Sequence, residues 1–581
     1  MKDFSTLFPY MRKYARYYIP GLAFLVVASG GQLLIPQFLR IAIDTISGGH
    51  PDLKAIFTIS VQLVGVAAVI SISRFGWRFF INGASRRIEM ELRNRLYEHM
   101  LELSSNFFSR YKIGDLMARA TNDMEAIRMA TGMALVSATD GIFMTLAILI
   151  ILFTQNANVA LYPLLPLPVI TLLIIGLGSL VSDYFRQVQE GFATMSQQAQ
   201  EVFSGIRVIK SFVKENYFLG RFRVANDIYG GRNMRLVRVW GVFSPAVTFL
   251  AGLTTLILLW YGGKAVIAGQ LTTGSFVAVY TYLGMLIWPV LGAGMTVNMI
   301  QRGRASLVRV NAILAEEPDI ASPSVAQSEP PNGTIEVRNL SFSYPDTAEP
   351  ALQDLTFRIE EGQTLGILGR TGSGKSTLIK ILPRLLDPPE GTVFIDGYDV
   401  RQYHLQSLRS SFGVVPQDTF LFSATIRDNI RFGLSEADEA LVTRAADIST
   451  ISRDIGLFSD GWETEIGERG VTLSGGQKQR MAISRALAIQ PNVLIFDDAL
   501  SAVDTHTEEM ILQELLKFRR GKTSIIVSHR VSTLSVADRI IVLDAGRIVQ
   551  EGTHEELLAE DGYYRQVHRL QQLSEHHTEV D

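Results

Sequence analysis

The sequence predicts a membrane α-helical bundle of six transmembrane helices fused to an α/β P-loop domain, and three observations predict it. Six apolar segments in the first half are each long enough to span roughly 30 Å of hydrocarbon at about 1.5 Å per residue. Hydrophobic residues make up 47% of the chain and charged residues only 19%, which places part of it in lipid. Gly369 to Thr377 reads Gly-Arg-Thr-Gly-Ser-Gly-Lys-Ser-Thr and matches the phosphate-cradling pattern at every fixed position.

Composition also excludes some functions. A net charge of -3 gives no global basic field, so nucleic acid is not an expected partner. With no cysteine there are no disulfides, thiolate metal sites or thiol catalysis. Lys2, Arg12, Lys13 and Arg16 lead into an apolar run without a small-residue cleavage site, which predicts an uncleaved membrane protein rather than a signal peptide.

Taken in order, Phe4, Leu7, Phe8 and Met11 recur at helical spacing beside those cations. They suit an amphipathic helix on the membrane surface, or equally a plain helical lead-in. The spans are expected near 19–43, 55–80, 133–155, 157–181, 240–266 and 274–300. Connections around His50, Gln155 and Gly269 are short and nearly free of cations. Those over 82–132 and 182–239 are long, helical in pattern and rich in arginine and lysine. The positive-inside rule makes the long loops and both termini cytoplasmic. Arg40 and Asp44 sit four apart in the first span, and Arg74 and Arg78 four apart in the second. Each pair reads as a substrate contact or as snorkelling and ion pairing near helix ends. Pro36, Pro163, Pro166, Pro168, Pro245 and Pro289 mark kinks or hinges.

After Arg309 the pattern stays helical to about Glu317, and Pro318 to Pro331 is rich in Pro, Ser, Ala and Glu. The expected division is a transmembrane domain over 1–317 with an N-terminal interfacial helix and two long cytoplasmic loops, a linker over 318–332, and a nucleotide-binding domain over 333–581. In that domain the run from Thr364 reads as a buried strand and Ser376 onward as a helix, the context that the phosphate loop requires. Gly369, Gly372 and Gly374 let backbone N–H groups approach phosphates, with Arg370, Thr371, Ser373 and Thr377 completing the loop. Lys375 supplies a point charge and Ser376 a hydroxyl for Mg²⁺.

Leu473-Ser-Gly-Gly-Gln477, followed by Lys478-Gln-Arg-Met-Ala-Ile-Ser-Arg-Ala486, resembles the ABC transporter ATPases. With six spans before the domain, the whole chain resembles an ABC half-transporter of the exporter type, binding ATP and Mg²⁺. Ser474, Gly475 and Gly476 open a helix whose free N–H groups suit a γ-phosphate, with Gln477 closing the motif. In the resembled family that phosphate sits on the other subunit's P-loop. The resemblance further implies that Tyr344 stacks on adenine, that Asp497 ends a Walker-B strand and holds Mg²⁺, and that Gln417 senses the metal. It places Asp504 in a loop crossing the dimer interface and His529 beside the γ-phosphate. Phe107–Asp115, followed by Arg119–Asp123, and Gly205–Glu215 resemble the exporter family's two intracellular loops, each seating a small transverse helix on an ATPase domain, the second on the partner's.

One residue departs from the pattern. The family has Glu after the Walker-B Asp, as the base that orients the attacking water, and here stands Asp498. A carboxylate about 1 Å short costs roughly 10²-fold in rate, about 2.7 kcal/mol of barrier. The departure resembles the degenerate-site subunit of heterodimeric bacterial multidrug ABC exporters. The expected partner is a second half-transporter whose active site this chain's signature completes. The expected substrate is an amphipathic drug, lipid or peptide, with membrane lipid as surroundings. Alternatives are a slowly hydrolysing homodimeric exporter or lipid flippase, and an ATP-gated channel or regulator. Without a transit peptide, the expected location is a bacterial inner membrane, multi-pass, with the ATPase cytoplasmic.

Overall fold

The computed structural model describes residues 2–48, 53–345, 347, 349–434, 438–467 and 473–578. The connection expected around His50 lies outside them. The chain divides into two compact units, Met1–Leu101 with Ile113–Glu316, and Glu102–Lys112 with Glu317–Asp581.

The first unit is helical. Its main helices are α1 (Ala15–Ser47), α2 (Leu53–Trp77), α3 (Met133–Leu164), α4 (Pro166–Ser204), α5 (Glu215–Ile267), α6 (Thr273–Met285) and α7 (Ile287–Leu314). Five helical stretches among the described residues are long and apolar enough to cross a membrane. The remaining expected span, 157–181, runs from the end of α3 into α4, which carries no charge before Asp183. Phe57, Val64, Ile72 and Phe75 of α2 stand exposed, a surface that suits hydrocarbon rather than water. Short helices Ser105–Arg110 and Ile206–Ser211 fall within the two long polar connections.

Two sequence expectations change in this unit. No turn occurs at Gln155, because α3 runs through it to Leu164. The break falls at Leu165, between Pro163 and Pro166. Polar side chains are compatible with helix, whereas a proline supplies no N–H for the ladder. Among the described residues Asp44 makes no ion pair with Arg40. Its Oδ1 accepts from Gly274 N at 2.8 Å and its Oδ2 from Thr272 Oγ1 at 2.9 Å, so it caps the start of α6. Glycine is required there, since a Cβ at Gly274 would lie 2.1 Å from Arg40 O. Arg74 and Arg78 lie exposed on the helix surface, Arg78 over the Trp77 ring.

Sequence reading also missed Asp140, a carboxylate on the seam of α3 formed by Val136, Met144, Ile148 and Leu152. Buried Ser29 of α1 donates to it. Nearer the polar end, Arg309 forks onto Asp123, Nε to Oδ2 at 2.9 Å and Nη2 to Oδ1 at 2.5 Å, tying the first long connection to α7.

The second unit holds two sheets. An antiparallel sheet of order β2-β1-β4-β5 uses β1 (Ile335–Phe342), β2 (Leu352–Ile359), β4 (Val393–Ile395) and β5 (Tyr398–Asp399). The larger sheet, β10-β9-β3-β8-β7-β6, uses β3 (Thr364–Gly369), β6 (Phe412–Val415), β7 (Val493–Asp497), β8 (Thr523–Val527), β9 (Arg539–Asp544) and β10 (Arg547–Gly552). Strands β3, β7 and β8 are buried along their full length, as expected for parallel strands covered on both faces. Four helices of this unit position its site: α8 (Lys375–Ile381), α9 (Gly475–Ala488), α10 (Thr505–Phe518) and α11 (Tyr563–Thr578).

The stretch read as a linker makes hydrogen bonds to this unit. Gln327 N donates to Gln402 O at 2.9 Å, His404 N to Gln327 O at 2.9 Å, and Leu405 N to Ser322 Oγ at 3.1 Å. Glu102–Lys112 also packs as part of the unit, with Ser104 Oγ donating to Asp319 Oδ2 at 2.9 Å.

Candidate nucleotide site

Strand order places the motifs in a row. Strands β3, β8, β7 and β6 are parallel neighbours, so Gly369, His529, Asp497 and Gln417 emerge from the same carboxyl edge, where α/β sheets bind ligands. Gln417 follows β6 by two residues and is exposed, as are Arg370 and Thr371.

The phosphate loop closes on itself. Gly372 has φ 83° and Gly374 φ 99°, left-handed conformations that other residues adopt at a cost. At Gly374 a Cβ would lie 2.6 Å from Ala351 O. Lys375 is buried and its Nζ donates to Gly369 O at 2.7 Å and to Arg370 O at 2.8 Å, using two of the three ammonium N–H groups. Burial pulls its pKa down, against the attraction of Asp497 and Asp498. Ser373 Oγ is buried with no hydrogen-bond partner among the described residues. Ser376 Oγ donates to Asp497 Oδ2 at 3.4 Å, so a hydroxyl and a carboxylate converge beside the loop. Burial pushes the Asp497 carboxyl upward. The Ser376 hydrogen bond opposes the rise and Asp498 adds to it. These are hard oxygen donors of the kind that Mg²⁺ takes alongside phosphate.

Tyr344, just past β1, packs edge-on against Phe342 with ring centroids 5.4 Å apart, and its OH meets Thr377 Oγ1 at 3.2 Å. The ring is thereby anchored to the helix that follows the loop.

Asp498 is half-buried at φ 50°, a left-handed position that Asp tolerates better than most residues. Its N–H donates to Val527 O at 2.9 Å, and its carbonyl accepts from Ser501 Oγ at 2.9 Å. With Ser501, Ser528, Glu508 and Arg530 it lines a void of about 20 Å³, room for a single water. His529 is exposed beyond β8.

The signature residues form a second group. Ser474 caps α9: its Oγ accepts from Gln477 N at 3.2 Å, while Gln477 Oε1 accepts from Ser474 N at 3.0 Å, a reciprocal capping box. Gln477 Nε2 also reaches Asp454 at 2.8 Å. Gly475 and Gly476 lie against Ala502, and a Cβ on Gly476 would come 2.9 Å from Ala502 O. Asp504 caps α10 by accepting from Thr507 N at 2.9 Å, and that backbone hydrogen bond holds its carboxyl below the usual range.

Gln479, which the sequence reading placed in the run after the signature without a role, joins the two groups. Its Nε2 donates to Ser501 Oγ at 3.0 Å and its Oε1 accepts from Ala502 N at 2.9 Å, so α9 connects through Ser501 to the Asp498 carbonyl.

Residues 18–290 match the family described as ABC transporter transmembrane region, and residues 352–501 the family described as ABC transporter. Tyr344, Asp504 and His529 lie outside both stretches. The chain is 38% identical to a probable multidrug resistance ABC transporter ATP-binding/permease protein, YheI of Bacillus subtilis, covering 97% of each chain. It is 30% identical to an ATP-dependent lipid A-core flippase of Vibrio vulnificus, covering 98% of each. A solved bacterial Atm1-family ABC exporter with ATP bound superposes with a TM-score of 0.76 at 26% identity, covering 96% of this chain and 98% of that one.

Proposed function

Because the chain belongs to the ABC transporter family, with its membrane region and ATPase in one polypeptide, we propose that it is one half of a heterodimeric exporter. In this reading it moves an amphipathic drug, lipid or peptide outward across a bacterial inner membrane, with the ATPase and both termini cytoplasmic. The named activities of its relatives, multidrug resistance and lipid A-core flipping, support that substrate class.

The observation that carries the reading is the row of Lys375, His529, Asp497 and Gln417 along one sheet edge. The third Lys375 N–H and the loop amides take the phosphates, and Tyr344 takes the adenine face. Ser376, Asp497 and Gln417 would hold Mg²⁺, which when bound neutralises phosphate charge. Ser474 and the free N–H groups of Gly475 and Gly476 face the γ-phosphate on the partner's P-loop, and Asp504 lies at the same interface. Two nucleotides then clamp the two ATPase domains, and hydrolysis releases them.

Asp498 supports the one-sided arrangement. Its carboxylate is short, and its backbone is tied at both N–H and C=O, so it cannot advance toward the water. This chain's own site binds ATP and hydrolyses it slowly, and the partner supplies the competent Glu. ATP-dependent accumulation of a lipophilic dye in inside-out vesicles, abolished by Lys375→Ala, tests the exporter reading. Movement only down the dye's gradient contradicts it and favours an ATP-gated channel.

A further inference from the structure

The loop that carries His529 is gripped by a residue outside every motif. Gln571 of α11 donates from Nε2 to His529 O at 2.6 Å and accepts at Oε1 from Val531 N at 2.9 Å. A carbonyl can only accept and an N–H can only donate, so these two partners fix the orientation of the amide and bracket the loop. From the other side, buried Glu508 of α10 pairs with Arg530 and accepts from Thr533 Oγ1 at 2.7 Å. Gln571 thus holds the backbone at His529 and Val531 and Glu508 holds the side chains of Arg530 and Thr533, while the imidazole stays exposed.

The same helix α11 also reaches the phosphate loop. The Arg370 guanidinium lies over the Tyr563 ring, 5.1 Å from its centroid, and the Arg370 carbonyl is one of the two that hold Lys375 Nζ. Helix α11 is itself anchored: Tyr564 is fully buried, its N–H donates to Gln550 Oε1 at 3.1 Å, and its OH meets His554 Nδ1 at 2.7 Å.

We infer that Gln571 is a positioning residue for His529, and that the C-terminal helix thereby sets how well this chain's site distinguishes ATP from ADP. The inference rests on the reading that His529 meets the γ-phosphate. Without the clamp the loop keeps Glu508 but loses the bond that fixes the His529 peptide, and the imidazole no longer holds its direction.

The test uses the intact transporter in membranes and photolabelling of this chain with 8-azido-ATP and 8-azido-ADP. Gln571→Ala removes both hydrogen bonds, weakens ATP labelling by at least about five-fold and leaves ADP labelling unchanged. His529→Ala produces at least the same loss, and adding Gln571→Ala to it costs nothing more. Gln571→Glu keeps the acceptor for Val531 N–H but not the donor for His529 O, so it behaves like the alanine variant in its loss of ATP labelling with ADP labelling unchanged. Equal weakening of ATP and ADP, a parent-like Gln571→Glu, or a further loss in the His529→Ala background overturns the role of Gln571. An unchanged ATP preference in His529→Ala overturns the reading of His529 itself.

Discussion

The Asp498 N–H donates to Val527 O at 2.9 Å, which fastens the residue proposed to orient the attacking water to the neighbouring strand. Backbone movement therefore cannot make up for its missing methylene. Asp498→Glu raises ATP turnover at this chain's site by about 10- to 100-fold and leaves ATP affinity within about two-fold. Single-turnover hydrolysis with labelled ATP checks this, and an unchanged rate rules out side-chain length as the limit.

Gly476 faces the Ala502 carbonyl so closely that a Cβ would lie 2.9 Å from it. Gly476→Ala pushes that loop away from α9 and misplaces the signature by a sizeable fraction of an ångström. Steady-state hydrolysis by the assembled transporter falls at least about ten-fold, while ATP binding at this chain's own P-loop is retained. Paired ATPase and photolabelling measurements separate the two effects.

Asp44 holds the first two polar hydrogens of α6, from Thr272 Oγ1 and Gly274 N. Asp44→Ala leaves the Gly274 N–H without its carboxylate and costs about 1–2 kcal/mol. Thermal unfolding in detergent shows the loss, with Asp44→Asn intermediate.

Burial holds the Tyr403 phenol at about 12, above the ordinary 10.0, with the charge of Asp396 adding to the rise. The folded state keeps this proton where the unfolded chain loses it. Its stability contribution is therefore complete below pH 10.0 and is lost as pH rises toward about 12. Tyr403→Phe forfeits the 3.0 Å hydrogen bond to Ile395 O and costs about 1 kcal/mol at neutral pH. The gap between parent and variant closes over the alkaline window, as denaturant titrations at successive pH values measure.

What the sequence made legible was local. The phosphate loop, the signature and the Walker-B strand are contiguous runs whose residue types follow from one chemical task each, and the structure sets them in the expected strand and helix contexts. The spans were legible because lipid demands unbroken apolar runs, although the turn at Leu165 was masked by four polar residues that stay helical. Gln479, Glu508 and Gln571 were illegible. Each acts through a partner distant in sequence, such as Gln571 with His529, and a single Gln or Glu on a helix carries no periodic or spacing signal. The backbone hydrogen bonds that 318–332 makes to Gln402 and His404 were illegible for the same reason, since its Pro, Ser and Ala content reads only as a linker.

Native mass spectrometry of the transporter extracted from its own membrane tests the central claim most directly, the claim being the proposed pairing of this chain with a partner that supplies Glu. The account predicts a complex of this chain with a second, different half-transporter carrying that Glu. A complex of two copies of this chain that turns over ATP at rates typical of transport contradicts it.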